Sequence, residues 1–258
     1  MQRTKKSLGQ HWLFDELSLN AMVRVANMTN TDTVLEVGPG LGTLTKKLCQ
    51  TADKVVAVEL DDELAPRLAD EVRADNLEVI HQSILDFDVS TMSKGYKVVA
   101  NIPYYLTSHL IRQLLEAENK PTTMVLLVQK EVAERVVAQA GHHSMLSVSV
   151  QFYAEADLCE QVPARLFTPP PKVDSQIVRI TPRTQPLFPG VNEENFFKIV
   201  RAGFSEKRKK LRSSLSGALH FSKVEVDEWL KQAGISPDAR AQELGLQEWH
   251  QLYLKSPL

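Results

Sequence analysis

Five β-rich runs, at residues 34–37, 55–58, 77–81, 98–100 and 124–128, alternate with stretches of helical periodicity at 43–50, 61–74, 107–118 and 130–139. No other feature constrains the fold as strongly. All but the third run are nearly continuous in apolar residues, as strands covered on both faces are. Strands of that kind separated by helices build a parallel sheet with helices on either side. Ahead of the first strand, residues 16–28 set Leu19, Met22, Val23 and Ala26 at helical spacing.

After residue 141 the alternation stops. Residues 144–162 and 175–182 read as two further strands joined by the proline-rich link VPARLFTPPPKVDS. No crossover helix separates them, so an antiparallel pair is expected. From about residue 190 the pattern is helical, at 193–203, 205–219, 223–233 and 246–254. The stretch 181–190 holds three prolines and one glycine and suits a boundary. The expectation is a large α/β domain over 1–188, with a basic arm at 1–14, and a small all-α domain over 189–258. A chain of 258 residues is long enough for both.

Composition narrows the function classes. At 43% hydrophobic and 24% charged, the chain is an ordinary globular protein. The net charge of −2 does not mark the whole molecule as a nucleic-acid binder, but the charge is uneven. Residues 1–14 carry Arg3, Lys5 and Lys6 and no acid. Residues 201–212, RAGFSEKRKKLR, hold six basic residues against Glu206. The two cysteines, Cys49 and Cys159, have no metal-ligand spacing and form no disulfide framework. The seven histidines show no ligand spacing either, so no metal site is expected. There is no bilayer-length apolar run and no signal-peptide core, which leads us to expect a cytoplasmic protein.

Two strand ends carry the chemistry. The segment VLEVGPGLGTLTKKL places Gly38, Gly40 and Gly42 between the first strand and its helix. Glycine allows a sharp turn and lets a ligand approach the backbone. Glu59 ends the second strand about 20 residues after the loop, where a carboxylate can accept hydrogen bonds from a ribose diol. Dinucleotide-binding enzymes and S-adenosylmethionine methyltransferases share this arrangement. The G-x-G-x-G spacing, preceded by Glu36, leans toward the second.

The fourth strand ends in Asn101-Ile102-Pro103-Tyr104. The Asn101 side-chain oxygen can accept a hydrogen bond from an exocyclic amino group. Ile102 precedes a proline, is biased toward an extended backbone, and can aim its carbonyl as a second acceptor. Pro103 offers no competing N–H. Tyr104 supplies a flat ring on which a base can stack. Two acceptors on one amino nitrogen would draw its lone pair out of ring conjugation, which suits methylation of adenine N6. Thr107 and Ser108, rather than Asn101, are the expected caps of the following helix.

With these motifs in view, the chain resembles the ribosomal-RNA adenine dimethyltransferases. The resemblance rests on N-I-P-Y, KKSLGQHWLFD, VLEVGPGLGTLT, LVQKEVAERVVA and LFTPPPKVDSQIVRI, and spans about residues 5–215. It implies a Rossmann-like methyltransferase with a mostly parallel seven-stranded sheet and S-adenosylmethionine as cofactor. The implied activity is dimethylation of two neighbouring adenines near the 3′ end of small-subunit rRNA, on RNA or an assembling pre-30S particle, by a monomer. It further implies that His11, Leu13, Gly38, Gly40, Glu59, Ser83 and Asn101 hold the cofactor, and that Phe167 closes on the target base opposite Tyr104. The competing reading of Phe167 is a core plug. The chain departs from the family at three places: Ser83 stands where an Asp is usual, Trp12 where a Phe is usual, and Leu8 where an aromatic is usual.

The stretch EKRKKLRSSL is expected to be helical and to offer Lys207, Arg208, Lys209, Lys210 and Arg212 to phosphates, together with Arg3, Lys5 and Lys6 from an arm that orders on binding. The alternatives are a large-subunit adenine methyltransferase of the macrolide-resistance type, a DNA adenine methyltransferase, and a non-catalytic assembly or transcription factor. A dinucleotide oxidoreductase is disfavoured, since no hydride-transfer acid or base stands out.

Overall fold

A computed structural model describes residues 10–185, 187–206 and 208–258. The chain forms two compact units, one of residues 1–134 and 154–182 and one of residues 135–153 and 183–258.

The first unit carries the expected α/β architecture. A seven-stranded sheet is built from β2 (Thr33–Val37), β3 (Lys54–Glu59), β4 (Leu77–His81), β5 (Lys97–Asn101), β6 (Thr123–Gln129), β7 (Ala154–Val162) and β9 (Ser175–Pro182), in the order β4-β3-β2-β5-β6-β9-β7. The first five of these are parallel, and β9 runs antiparallel to both β6 and β7. Helices α1 (Glu16–Val25), α2 (Thr43–Cys49), α3 (Ala65–Val72), α4 (Thr107–Glu116) and the start of α5 (Lys130–Val136) connect the strands. Val34, Val55, Val99 and Val125 on the sheet pack with Leu19, Met22, Leu44 and Leu48 of α1 and α2. The interiors of β2, β3, β5 and β6 are buried, with only their terminal residues reaching partial or full exposure, which explains their continuous apolar runs. A pair not anticipated from sequence, β1 (Trp12–Leu13) with β8 (Phe167–Thr168), sews the N-terminal segment to the proline-rich link.

The second unit is helical: α6 (Met145–Tyr153), α7 (Glu193–Phe204), α8 (Leu211–Leu219), α9 (Lys223–Gln232) and α10 (Leu246–Leu254). Phe152 of α6 packs its ring 4.8 Å from Phe196 and 5.1 Å from Phe197, both on α7. A Cβ at Gly203 would lie 2.4 Å from Trp249, so α7 and α10 approach as closely as they do only because this residue is glycine. Ser222 and Glu225 form a reciprocal capping box on α9.

The structure corrects three expectations. Residues 144–162 are not one strand, because 145–153 form α6 and only 154–162 form β7. Ser147, Val148, Val150, Phe152 and Tyr153 are all buried, so the helix has apolar neighbours on most sides and shows no single-faced helical period in its sequence. For the same reason residues 135–153 group with the C-terminal helices rather than with 1–188. Finally, the helix expected over 205–219 starts only at Leu211, after a turn in which Lys209 N–H donates to the Glu206 carbonyl. Buried Leu211 and Leu215 anchor α8, whereas the charged run before it offers no apolar residue to pack.

Candidate active site

The ladder between β2 and β5 closes after two pairs, Val34 with Lys97 and Leu35 with Val98. Beyond it the two strands part. In an open α/β sheet, the point where strand order reverses is where ligands bind. Here the carboxyl ends of β2, β3, β4 and β5 line a cavity of about 240 Å³ together with the segment 10–13.

Gly38 and Gly40 turn the backbone after β2 at φ of 65° and 58°, conformations that suit glycine. Glu59, at the end of β3, accepts the Gly40 N–H at 3.0 Å on Oε2 and the Asp61 N–H at 2.8 Å on Oε1. The carboxylate therefore shapes the glycine loop. A carboxylate has about four lone-pair sites, so two remain for a ligand diol. Ser83 lines the cavity after β4, with Oγ accepting the Leu85 N–H. Glu36 is 1% exposed and its Oε2 has no hydrogen-bond partner. Burial pushes its pKa up to about 8; the Thr45 hydroxyl opposes this and the Glu59 charge adds to it.

Asn101, at the end of β5, donates from Nδ2 to the His11 carbonyl at 3.2 Å. Fixing the amide by its donor leaves Oδ1 as the acceptor. Ile102, Pro103 and Tyr104 follow along the cavity wall. Tyr104 hydrogen-bonds through its hydroxyl to Ser175 Oγ at 2.8 Å, and its ring lies near-parallel to that of His11 with centroids 5.8 Å apart. Burial raises the Tyr104 pKa, and the Ser175 hydrogen bond works against that rise. His11 Nδ1 donates to the Pro169 carbonyl at 2.8 Å, which selects its tautomer. Neither Thr107 nor Ser108 caps α4: the helix has no side-chain cap, and the Thr107 hydroxyl is buried without a partner.

The structure thus gathers His11, Leu13, Gly38, Gly40, Glu59, Ser83 and Asn101 through Tyr104 around one cavity. Phe167 does not join them. It is 2% exposed, paired with Leu13 across β1 and β8, and lies in the core beneath. The ring that faces Tyr104 is His11. The core-plug reading is therefore the one the packing supports, because a ring buried among aliphatic side chains has no free face for a base.

Sequence reasoning missed Ser175, the tie from Gln10 to Asp61 at 2.8 Å and the orphaned indole nitrogen of Trp12. None carries a spacing signal; each depends on residues far apart in the chain. Of the basic residues, Lys210 pairs with Asp238 at 2.5 Å and Arg212 with Asp227 at 2.6 Å, while Arg208 and Lys209 are exposed. Arg3, Lys5, Lys6 and Lys207 lie outside the described residues.

A mostly parallel seven-stranded sheet in this order, with β9 antiparallel between β6 and β7 and a glycine loop and an acidic residue at neighbouring strand ends, is the architecture of an S-adenosylmethionine-dependent methyltransferase. The residues present fit that cofactor: a loop whose Gly38 and Gly40 lack Cβ atoms, a carboxylate with room for a diol, and an unpaired buried carboxyl oxygen at Glu36 for an ammonium group. The family model "Ribosomal RNA adenine dimethylase" matches residues 1–256, and the chain belongs to that family. Ribosomal RNA small subunit methyltransferase A of Dehalococcoides mccartyi is 46% identical over 256 residues, 98% of this chain and 88% of that protein. The protein of the same name from Clostridioides difficile is 38% identical, over 95% of this chain and 88% of that one. Among solved structures, a dimethyladenosine transferase from Plasmodium falciparum is 27% identical with a TM-score of 0.78, over 94% of this chain and 96% of that chain. A 23S rRNA methyltransferase is 29% identical with a TM-score of 0.75, over 95% and 98%.

Proposed function

We propose that this protein transfers methyl groups to N6 of two adjacent adenosines near the 3′ end of small-subunit (16S) rRNA, giving N6,N6-dimethyladenosine during ribosome assembly. The observation that carries the reaction type is the Asn101 amide, fixed by the His11 carbonyl at the cavity wall beside Tyr104. The small-subunit target is supported by 46% identity to a small-subunit enzyme along nearly the whole chain.

Bound S-adenosylmethionine supplies an electrophilic methyl group, so a C–S bond breaks as the N–C bond forms. Glu59, with its backbone partners at Gly40 and Asp61, holds the ribose. His11, Leu13, Gly38, Gly40 and Ser83 complete the cofactor wall. Asn101 Oδ1 and the Ile102 carbonyl accept from the target amine and turn its lone pair toward the methyl group. The Tyr104 ring holds the base flat. The alkylated amine is acidic and releases its proton to water, so no strong base is needed; positioning provides most of the rate. Accessible adenines in single-stranded RNA or in an assembling subunit suit this site, since an unstacked base enters without the cost of flipping. Arg208 and Lys209, with Lys207 and the N-terminal Arg3, Lys5 and Lys6, supply phosphate contacts. The protein acts as a cytoplasmic monomer; among the described residues no helix is long and apolar enough to cross a membrane.

The test is methyl transfer from labelled S-adenosylmethionine to under-methylated small and large ribosomal subunits, with nucleoside analysis. N6,N6-dimethyladenosine in the small subunit is expected. Label in the large subunit alone would replace this reading with the resistance-type enzyme, and RNA binding without label would favour a non-catalytic assembly factor.

A further inference from the structure

We propose that Trp12 is a cofactor-binding residue whose indole N–H donates to the carboxylate at the methionine end of S-adenosylmethionine. The proposal deepens the methyltransferase reading above and rests on it for the identity of the ligand.

Trp12 lines the cavity, and its Nε1 is buried with no hydrogen-bond partner. An indole nitrogen is a donor only. Leaving such a donor buried and unpaired is costly, so a buried orphan in a ligand cavity marks a place where the ligand supplies the acceptor. The indole is also held against the glycine loop. A Cβ built on Gly40 would sit 3.5 Å from Trp12 Cδ1 and 3.6 Å from Nε1. The edge of the ring that bears the N–H therefore lies over the stretch where the loop lets a ligand come closest.

The charges in the cavity say which part of the ligand meets that donor. Glu59 has its free lone pairs for the ribose, and the unpaired Oε2 of Glu36 suits an ammonium group. The Glu59 carboxylate does not favour an anion beside it, and Glu36, which burial keeps protonated, offers no positive charge to attract one. No lysine or arginine stands among the described residues that line the cavity. The anionic end of the cofactor must then be satisfied by neutral donors. Two of the side-chain donors on the segment 10–13 are already engaged: Gln10 Nε2 with Asp61, and His11 Nδ1 with the Pro169 carbonyl. Trp12 is the one whose nitrogen is without a partner. A phenylalanine at this position would have no donor to offer.

The test compares two ligands on the full-length protein by isothermal titration calorimetry. S-adenosylhomocysteine carries the amino-acid end; 5′-methylthioadenosine keeps the adenine, ribose and sulfur but lacks it. Trp12→Phe preserves a ring and removes the N–H. A hydrogen bond to a charged group is worth a factor of about ten to a hundred in affinity. Trp12→Phe should weaken S-adenosylhomocysteine by that factor and leave 5′-methylthioadenosine unchanged. Equal weakening of both ligands would overturn the proposal in favour of a ribose contact or simple packing, and no change in either would overturn it outright.

An S-adenosylhomocysteine analogue lacking only its carboxylate gives a second check that does not depend on how the variant packs. It should bind wild type more weakly than the parent compound does, and should bind Trp12→Phe as well as it binds wild type. A further loss on Trp12→Phe would count against the assignment. Failure of the wild-type protein to bind S-adenosylhomocysteine at all would instead strike the methyltransferase reading.

Discussion

The cavity at the strand ends and the basic stretch 201–212 are both conspicuous in the sequence, yet the structure treats them in opposite ways. In the cavity, polar groups are tied down and kept for use. Glu59 is held by two backbone N–H groups, Asn101 by the His11 carbonyl and Tyr104 by Ser175. In the basic stretch, two cations are largely neutralised by acids about fifteen or more residues away in sequence: Lys210 by Asp238 and Arg212 by Asp227. The contrast teaches that a charge run overstates the charge on offer. A single amide at a strand end, by contrast, is worth as much as its anchoring makes it.

The sharpest way to break this comparison is at Asn101. Asn101→Ala should lower methyl transfer by about a hundred- to a thousandfold, the usual cost of removing an oriented group at a reacting centre, while S-adenosylhomocysteine still binds. Single-turnover assays alongside calorimetry measure the two quantities, and retained turnover would remove Asn101 from the mechanism.

Tyr104 sharpens the comparison further. Tyr104→Ala should be severe because the stacking surface is lost. Tyr104→Phe and Ser175→Ala should each cost about fivefold in kcat/KM, the value of one hydrogen bond that sets the ring angle. Because they remove the same bond, the double variant should cost no more than either alone; additive losses in a kinetic double-mutant cycle would show that Ser175 does not act through Tyr104.

Glu36 tests how buried the cavity floor is. Its folded-state pKa of about 8 stands above the ordinary 4.5, so the folded chain keeps a proton that the unfolded chain releases. The stability this contributes is complete below pH 4.5 and is lost as pH rises through 8. Glu36→Gln should flatten that decline in urea denaturation measured across this range. A variant that declines as steeply as wild type would place the linkage elsewhere.

The smallest effect is expected in the basic stretch. Neutralising Arg208 and Lys209 should reduce the salt slope of RNA binding by about 1.4, at roughly 0.7 for each phosphate left without its cation on single-stranded RNA. Neutralising Lys210 and Arg212 should reduce it less, because their acidic partners already offset them. Equal reductions in filter-binding titrations would erase the distinction between the two pairs.

Much of the first unit was legible because its signals are local. Four of the five parallel strands appear as apolar runs, the glycine loop as G-x-G-x-G, and the candidate amine-binding strand end as four consecutive residues. The errors fell where local pattern and burial disagree. Residues 145–153 show no single-faced helical period but are a helix buried on most sides, and 206–210 look helical by composition but have nothing to pack. Phe167 sits in a motif that resembles a base-contacting one, yet its ring is in the core and His11 is the ring beside Tyr104.

The sequence by itself determined the alternating α/β plan, the strand ends that carry chemistry and the chemical types found there, because periodicity and turn residues act over a few positions. Only the tertiary structure decided that β2 and β5 part after two pairs to open the cavity, that Ser175 steadies Tyr104, that acids offset Lys210 and Arg212 in the basic stretch, and that the Trp12 nitrogen is left without a partner over the glycine loop. Those outcomes depend on which distant side chains meet once the core has packed, and hydrogen bonds and ion pairs are set by that geometry rather than by any spacing along the chain.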